Sequence, residues 1–350
     1  MAKLTDLCDI QYGYAFDSGA FTDDESYPQL VRIRDVKRGY SETYYNGEYP
    51  EEYVLSAGDL LIGMDGEFNI ARWKVDGALL NQRVCKIIAK DNADEEFLRF
   101  ALSKALKAIE DRTSFATVKH LSAKELNKLE IPVPSYEEQK KISEILHRIE
   151  GIIEFRQNEM DSLDNLIKAR FVELFGLPVS NSKEWPTESM SDVAPAVNYT
   201  GEFDDEVWLL NLDMVEAQTG KILDYLMVTV DEIGNSTCTF DESNVLYSKL
   251  RPYLNKVVIP DRCGYATSEL VPLQPVKSKL NREYLAFMLR SDEFVNMITE
   301  KVAGAKMPRV SMGDFRKFAV PVPPLDLQNQ FSEFVKQVDK SKLLMHYVYR

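Results

Sequence analysis

Histidine and cysteine are scarce in this chain, with three histidines and four cysteines among 350 residues. They are scattered along the sequence, at Cys8, Cys85, His120, His147, Cys238, Cys263 and His346. Zinc sites and disulfide frameworks need such residues at short, regular spacings, and no C-x-x-C pair is present. We therefore expect no metal site and no disulfide, and we interpret the cysteines as reduced thiols in or near the core.

Long apolar segments are also lacking. No run approaches the roughly 18 to 20 apolar residues that a membrane-spanning helix requires. The segment that begins with Met1 and Ala2 lacks the apolar core of a signal peptide. The sequence thus predicts a soluble, cytoplasmic protein that does not enter a membrane.

The motifs that usually accompany catalysis are missing as well. Gly220-Lys221 is followed by Ile222 and lacks the earlier glycine of a phosphate loop. We find no G-x-S-x-G elbow, no H-E-x-x-H helix, no F-x-G-x-G or N/D-P-P-Y/F methyltransferase motif and no metal-nuclease D…E-x-K set. The glycine-rich residues 62–67 include Asp65 and Glu67, which would repel phosphate, so a turn after a strand is favoured there. The chain is predicted to be non-catalytic, and an enzyme with an unrecognised site stays open.

A net positive charge, which nucleic-acid binding favours, is absent: the formal charge is -14. The charges are unevenly distributed, however. Cations collect in residues 32–38, 249–262 and 301–317, whereas acidic residues collect in 23–25, 94–96 and 204–206. One interpretation is a surface with a basic side for DNA and an acidic side for partner proteins. The alternative is ordinary solvated charge.

What the chain does contain is an internal repeat. Residues 122–144 match residues 311–333 without a gap in residue type or apolar pattern, and residues 96–102 match 283–289. A duplicated unit can present two related surfaces to a target that has two halves. The repeat therefore predicts two tandem domains of related fold.

The N-terminal part of each repeat has diverged. Residues 4–53 and 190–241 share little beyond a strand-like run that ends in Asp35 and Asp213. A retained frame with divergent loops is typical of two modules that bind different ligands. Drift after duplication is the alternative.

Short apolar runs separated by glycine and aspartate predict strands, and residues 95–109 and 282–299 are predicted helices, so each unit should be α+β. Ser135 and Glu138 form a predicted capping box for a long helix over 137–175, about 58 Å in length. A second, shorter helix begins at Asp326. The predicted divisions are 1–134, 135–176, 177–323 and 324–350.

Candidate nucleic-acid contacts are cations and amides in loops, because arginine can bond guanine and asparagine or glutamine can bond adenine in two places. The loops 113–120 and 303–309 occupy equivalent positions in the repeat, and both end in cations. Each candidate taken alone could also be an ordinary solvated side chain. The candidates are Arg32, Arg34, Lys37, Arg38, Arg72, Lys74, Asn81, Gln82, Arg83, Lys119, His120, Lys249, Arg251, Lys306 and Arg309.

Several segments together resemble the specificity subunits of type I restriction-modification systems, over essentially the whole chain. They are G-D-L-L-I-G-M-D-G-E at 58–67, L-N-Q-R-V at 80–84, I-P-V-P with E-E-Q-K-K-I at 131–142, A-R-F-V-E-L-F-G at 169–176, V-L-Y-S-K-L-R-P-Y-L at 245–254, T-S-E-L at 267–270, and V-P-V-P at 320–323 followed by Gln328.

The resemblance implies that the two α+β units are target-recognition domains, each reading one half of a bipartite, asymmetric site in double-stranded DNA. Two antiparallel, coiled-coil-like helices would separate them and set the half-site spacing, with the second helix shortened here. Methylation and cleavage would belong to two methyltransferase subunits, which bind S-adenosylmethionine, and to restriction subunits. The chain itself would need no cofactor.

In that picture the helices also hold the partner subunits, through Ile149, Ile152, Leu163, Ile167, Phe171, Phe331 and Phe334. Because the second helix is shorter, we expect an uncovered apolar seam near Leu163, Ile167 and Phe171, which would lead to a homodimer that covers it or to instability. The rival hypothesis is a non-catalytic protein-interaction adaptor that does not bind DNA, and the acidic net charge is its main support.

Overall fold

The computed structural model describes residues 1–112, 119–302 and 307–347, with side chains up to residue 344 in the last helix. The chain forms two compact units, Met1–Phe155 and Arg156–Arg350, called here unit 1 and unit 2. This division lies inside the long helix, whereas the sequence-based boundaries lie at its ends. Those boundaries stay predictions.

The described residues of unit 1 form short strands and four helices, the last of which continues into unit 2. The strands are β1 (Ala2–Lys3), β2 (Cys8–Tyr12), β3 (Phe21–Thr22), β4 (Leu30–Val31), β5 (Tyr44–Tyr45), β6 (Val54–Leu55), β7 (Leu60–Gly63), β8 (Ile70–Arg72), β9 (Ala78–Leu80), β10 (Val84–Ala89) and β11 (Glu130–Ile131). The helices are α1 (Leu4–Leu7), α2 (Glu95–Arg112), α3 (Ala123–Lys128) and α4 (Tyr136–Phe175).

The described strands of unit 1 form a four-stranded sheet in the order β2-β10-β7-β8 and a three-stranded sheet in the order β4-β9-β6, with the pairs β1-β11 and β3-β5 beside them. Strand β10 has antiparallel neighbours on both sides. Leu60 and Ile62 of β7 contribute to one core with α2, while Leu61 contributes to the other with Trp73. Alternate residues of one strand thus fill two cores, as the period of two requires.

Unit 2 repeats this plan. Its strands are β12 (Thr187–Ser189), β13 (Glu206–Leu210), β14 (Leu226–Thr229), β15 (Thr237–Phe240), β16 (Val245–Ser248), β17 (Val257–Val258), β18 (Gly264–Thr267), β19 (Leu270–Leu273) and β20 (Ala319–Pro321). Its helices are α5 (Met190–Val193), α6 (Arg282–Arg290), α7 (Asp292–Glu300), α8 (Met312–Arg316) and α9 (Leu325–Tyr347). The sheets have the orders β14-β13-β18-β15, β17-β16-β19 and β12-β20.

The two units share the α+β class, and the predicted fold of two tandem α+β units with long helices is confirmed. In each, a strand near the start pairs antiparallel with the strand that precedes a long helix: β1 with β11 and β12 with β20. The long helix α4 begins where the capping box places it, since Glu138 Oε2 accepts hydrogen bonds from the Ser135 N–H and Oγ at 3.0 and 2.7 Å.

One predicted helix is divided. The segment 282–299 forms two helices, α6 and α7, because Ser291 has an extended backbone with ψ 141°. Its hydroxyl accepts a hydrogen bond from the Phe294 N–H at 3.4 Å and so caps α7. Serine is a preferred N-cap residue, and its cap here outweighs the apolar pattern that predicts one continuous helix.

Within unit 2, helix α9 runs antiparallel to the C-terminal part of α4. Phe331 packs on Phe171 with ring centroids 5.4 Å apart, and further along the pair Lys342 Nζ lies 2.5 Å from Asp164 Oδ1. Residue numbers rise along α9 as they fall along α4, which fixes the direction. The predicted antiparallel helices are therefore confirmed for this stretch.

The expected uncovered seam near Leu163, Ile167 and Phe171 is wrong. Phe171 is 3% exposed and Ile167 is likewise buried, while Leu163 is partly buried against the same core. The reason is that α6 and α9 of unit 2 both pack against this part of α4. Phe331, also predicted to bind a partner, is fully buried there, and Phe334 lies beneath Arg170.

The exposed apolar face of α4 lies closer to its N-terminus. Ile149 and Ile152 are 46% and 54% exposed, and Ile145 and Ile153 are exposed as well. Among the described residues, no helix is both long and apolar enough to span a membrane.

Candidate nucleic-acid interface

Three loop segments meet at the edge of the main sheet of unit 1. They are the turn after β7, the turn between β9 and β10, and the segment before α3. The Met64 N–H donates to the Arg83 carbonyl at 2.8 Å, the Leu121 N–H donates to the Met64 carbonyl at 2.8 Å, and the Gly66 N–H donates to the Lys119 carbonyl at 2.9 Å. We call this meeting point, residues 64–66, 83 and 119–121, the unit 1 junction.

Three of its side chains form an ionic cluster at the surface. Asp65 Oδ1 lies 2.5 Å from His120 Nδ1, and Arg83 Nη1 lies 3.1 Å from the same ring nitrogen. Arg83 Nε is 3.7 Å from Asp65 Oδ2. Arg83 has a left-handed φ of 71° in the tight turn, and its side chain is 52% exposed. The junction therefore presents Arg83 and His120 at the surface, tethered by one carboxylate.

Unit 2 has the same junction at equivalent positions. The Lys249 N–H donates to the Glu269 carbonyl at 3.0 Å, the Val310 N–H donates to the Lys249 carbonyl at 2.8 Å, and the Arg251 N–H donates to the Pro308 carbonyl at 2.8 Å. Leu121 and Val310, which make the matching bonds, are aligned in the sequence repeat. Residues 249–251, 269 and 308–310 form the unit 2 junction.

The ionic cluster of the unit 2 junction has its charged side chains at different positions of the backbone pattern. Arg309 Nε and Nη2 lie 3.1 and 2.9 Å from Glu269 Oε1, so the arginine occupies the place of His120 and the carboxylate that of Arg83. The bond to Glu269 raises the pKa of Arg309. Each junction thus keeps one exposed arginine held by a carboxylate.

A second group of cations surrounds a buried carboxylate in unit 1. Asp35 is almost fully buried and accepts hydrogen bonds from the Arg32 N–H at 3.1 Å and the Ser41 hydroxyl at 2.9 Å, and it pairs with Arg38. The loop is joined to the segment of Lys74, whose N–H donates to the Gly39 carbonyl at 3.0 Å. The loop residues left at the surface by this arrangement include Arg32, Arg34 and Lys37.

Other candidates are already engaged within the chain. Arg72 bonds Glu95 and Glu96 at the start of α2, at 2.7 and 2.6 Å. Asn81 is buried, and its Oδ1 accepts a hydrogen bond from the Gln82 N–H, whereas the Gln82 side chain is exposed. Lys119 Nζ lies 3.3 Å from Glu110. These contacts make Arg72 and Asn81 structural side chains in this conformation.

The remaining candidates belong to unit 2. Lys249 is half-buried and Arg251 is exposed at a left-handed φ of 49° in the unit 2 junction. Lys306 lies outside the described residues. The sequence reasoning missed Asp65 as a tether and did not consider Glu269, which lies in the T-S-E-L segment. The signal available was the position of Asp65 and Glu269 near cations of the repeat.

The described part of the chain shows no cluster of metal-binding side chains. No group of three or more histidine, cysteine, aspartate or glutamate side chains there is arranged to hold a metal ion. The acidic side chains nearest the cations are paired with them. The arrangement suits recognition of an anionic ligand by cations and amides.

Comparison with known proteins identifies the family. The model of the type I restriction modification DNA specificity domain matches residues 1–165 and 229–346. The chain belongs to this family, so the resemblance predicted above is confirmed. The family is described as a DNA specificity domain, which does not favour the adaptor hypothesis.

Similar proteins agree with this. The EcoBI type I restriction enzyme specificity subunit of Escherichia coli is 39% identical over 167 residues, which cover 47% of this chain and 35% of that relative. The EcoDI specificity subunit of Escherichia coli is 20% identical over 359 residues, which cover 89% of this chain and 79% of that relative. The chain spans about a third of the first relative's length in the alignment.

Among solved structures, the S subunit of the type I restriction-modification system from M. genitalium has a similar fold. The TM-score is 0.52 at 15% identity, with 97% of this chain and 89% of that chain covered. This similarity supports the tandem α+β architecture.

Proposed function

We propose that this chain is the sequence-recognition subunit of a type I restriction-modification enzyme, and that each unit reads one half of a bipartite site in double-stranded DNA. The observation that supports this most directly is the duplicated junction. In each unit the same backbone pattern presents an exposed arginine, Arg83 or Arg309, held by a carboxylate. Arginine is the side chain that most often reads guanine in the major groove.

The acidic net charge does not conflict with this role. The exposed cations of unit 1 include Arg32, Arg34 and Lys37 on one loop and Arg83 in the junction. Local cation density rather than net charge determines phosphate binding. We assign phosphate contacts to the basic loop and base contacts to the junction residues Gln82, Arg83 and His120 in unit 1, and to Arg251 and Arg309 in unit 2.

Partner binding is proposed for the exposed face of α4. Ile149 and Ile152 offer apolar surface at helical spacing, which suits the docking of a methyltransferase subunit. Two such subunits would supply S-adenosylmethionine binding and adenine methylation, and restriction subunits would join through them. A homodimer through the same face is the competing arrangement. We place the assembly in the cytoplasm, where it would meet DNA.

The test is to coexpress the chain with its cognate methyltransferase subunit and to sequence modified adenines across the host genome. A split motif with two defined halves is the expected result. An assembled enzyme that carries Arg309→Ala should lose discrimination in one half alone, and Arg83→Ala in the other. Arg262→Ala serves as the matched control, because Arg262 is also exposed and paired with a carboxylate but lies outside both junctions.

The adaptor hypothesis would gain support if the assembled complex modified no defined sequence and its partner binding did not depend on salt. DNA binding through phosphate contacts would instead weaken steeply as salt rises.

A further inference from the structure

A buried glutamine near the start of each long helix connects that helix to its unit. Gln139 of α4 is 1% exposed and Gln328 of α9 is 0% exposed. Both lie five residues after a proline of a P-V-P segment, and both are aligned in the repeat. Buried glutamine is uncommon and persists where its amide is fully bonded.

The Gln139 amide joins three segments of unit 1. Its Oε1 accepts a hydrogen bond from the Asp94 N–H at 2.9 Å, and its Nε2 donates to the carbonyls of Asn92 at 3.3 Å and Pro134 at 3.1 Å. One turn later on α4, the Ser143 hydroxyl donates to Asp94 Oδ1 at 2.5 Å. Asp94 in turn caps α2, since its Oδ1 accepts from the Phe97 N–H at 2.8 Å.

Gln328 makes the same set of bonds in unit 2. Its Oε1 accepts from the Asn281 N–H at 2.9 Å, and its Nε2 donates to the carbonyls of Lys279 and Pro323, both at 2.8 Å. Asn281 Nδ2 donates to the Ser332 hydroxyl at 3.0 Å. Asn281 also caps α6, through the Tyr284 N–H at 2.8 Å.

One residue, Asp94 or Asn281, is therefore both the cap of the unit's own helix and the partner of a glutamine and a serine on the long helix. Bonds of this kind act at a fixed distance and direction, so they resist rotation of the unit about the long helix. The apolar contacts beside each joint have no preferred direction, so these bonds add a fixed distance and direction to the packing. We call each set of bonds a joint.

We propose that the two joints are positioning devices, in which Gln139 and Gln328 hold each recognition unit at a fixed angle to its long helix and so make half-site spacing strict. This inference rests on the proposed function. On B-form DNA, one added base pair in the spacer moves a half-site by about 3.4 Å and rotates it by about 35°. A unit held by a rigid joint cannot follow such a rotation, whereas a unit with a loosened joint can.

The experiment uses the complete methyltransferase, assembled with Gln139→Leu or Gln328→Leu, followed by sequencing of modified adenines. Leucine keeps the approximate volume and removes all three amide bonds. Sites with spacers one base pair longer or shorter should gain methylation by at least about tenfold relative to the unaltered enzyme, while the bases of both half-sites stay the same. A loss of stability alone would lower methylation at all sites and would not change the spacer.

The matched controls are Gln157→Leu on α4 and Gln337→Leu on α9. These are the same residue on the same helices, but their side chains are exposed. Both controls should keep the original spacer. In hydrogen exchange, the amides of Asp94 and Asn281 should lose protection in the joint variants and keep it in the controls.

If a joint variant assembles normally and methylates the original spacing alone, the proposal is overturned. If a glutamine variant fails to assemble, Ser143→Ala and Ser332→Ala give the same readout. Each removes the serine's bond to Asp94 or Asn281, together with its bond to a carbonyl of its own helix. An unchanged spacer in both would equally overturn the proposal. An unaltered enzyme that methylates no split motif would refute the proposed function, and unchanged exchange at Asp94 and Asn281 would refute the joint independently.

Discussion

Truncating Phe171 tests whether the second half of α4 belongs to the core of unit 2. The ring of Phe171 contacts those of Phe175, Tyr284 and Phe331 at centroid distances of 5.1, 5.6 and 5.4 Å, and it is 3% exposed. Phe171→Ala removes these contacts and leaves a cavity. Core phenylalanine truncations destabilise proteins by about 3–5 kcal/mol.

That loss should be visible in thermal unfolding. For a unit of this size, about 1 kcal/mol shifts the midpoint by roughly 2–4 °C, so a decrease of about 6–20 °C is expected. The comparison variant is Ile149→Ala, on the same helix but 46% exposed. Exposed substitutions usually change stability by less than about 0.5 kcal/mol. Ile149→Ala should leave the midpoint almost unchanged while weakening assembly with the methyltransferase subunit.

The measurement is circular dichroism during heating, with assembly followed by size-exclusion chromatography. The reasoning is refuted if Phe171→Ala unfolds at the same temperature as the unaltered chain. It is also refuted if both variants lose assembly to the same extent with no change in stability, because Phe171 would then behave as an exposed docking residue.

Three further predictions follow from the structure. Replacing Arg34 by alanine should remove about one phosphate contact and flatten the slope of log affinity against log salt by roughly 0.9, and an unchanged slope in fluorescence anisotropy would exclude Arg34 from the interface. Burial raises the pKa of the Cys8 and Cys85 thiols to about 12. At pH 7.5 both thiols should therefore resist maleimide in the folded chain and react after denaturation, as measured by mass spectrometry. Rapid labelling of the native protein would contradict their burial. A four-residue insertion after Gly151 lengthens α4 by about 6 Å, so the sequenced methylation motif should gain a longer spacer, and an unaltered spacer would argue against a spacing role for this helix.

Much of the fold was predictable from the sequence because its determinants are local or repeated. The capping box at Ser135 and Glu138 and the absence of proline over 137–175 place α4 within one residue of its observed bounds. The repeat predicts the second unit from the first. What periodicity could not predict was the break at Ser291, because its extended backbone and cap depend on the individual residue rather than on the apolar pattern.

The error about the uncovered seam has a different origin. An apolar stripe on a helix shows that something covers it, but the pattern does not say which element does so. Leu163, Ile167 and Phe171 are covered by α6 and α9, whereas Ile149 and Ile152 carry the same signal and are exposed. From the sequence alone, covered and exposed apolar residues at helical spacing cannot be told apart, because the elements that pack on the helix are not known.

The sequence predicts the cations of the candidate interface, but it does not predict which carboxylates pair with them. The loops ending in His120 and Arg309 were recognised as equivalent because the repeat aligns them, and the backbone bonds of Leu121 and Val310 agree with that. The carboxylates could not be aligned, since Asp65 and Glu269 lie on different segments of their junctions. Each junction has an arginine paired with a carboxylate, but Arg309 occupies the position of His120 and Glu269 occupies that of Arg83.

The joints and the junctions differ in a way that bears on specificity. Each joint uses the same glutamine and serine in both units, with Asp94 replaced by the similar Asn281, whereas the junctions differ in residue type at nearly every exposed position. A subunit that reads two different half-sites needs different side chains toward DNA and the same attachment to its helices. The joints have the same glutamine and serine in both units and the junctions have different residues, as this combination requires.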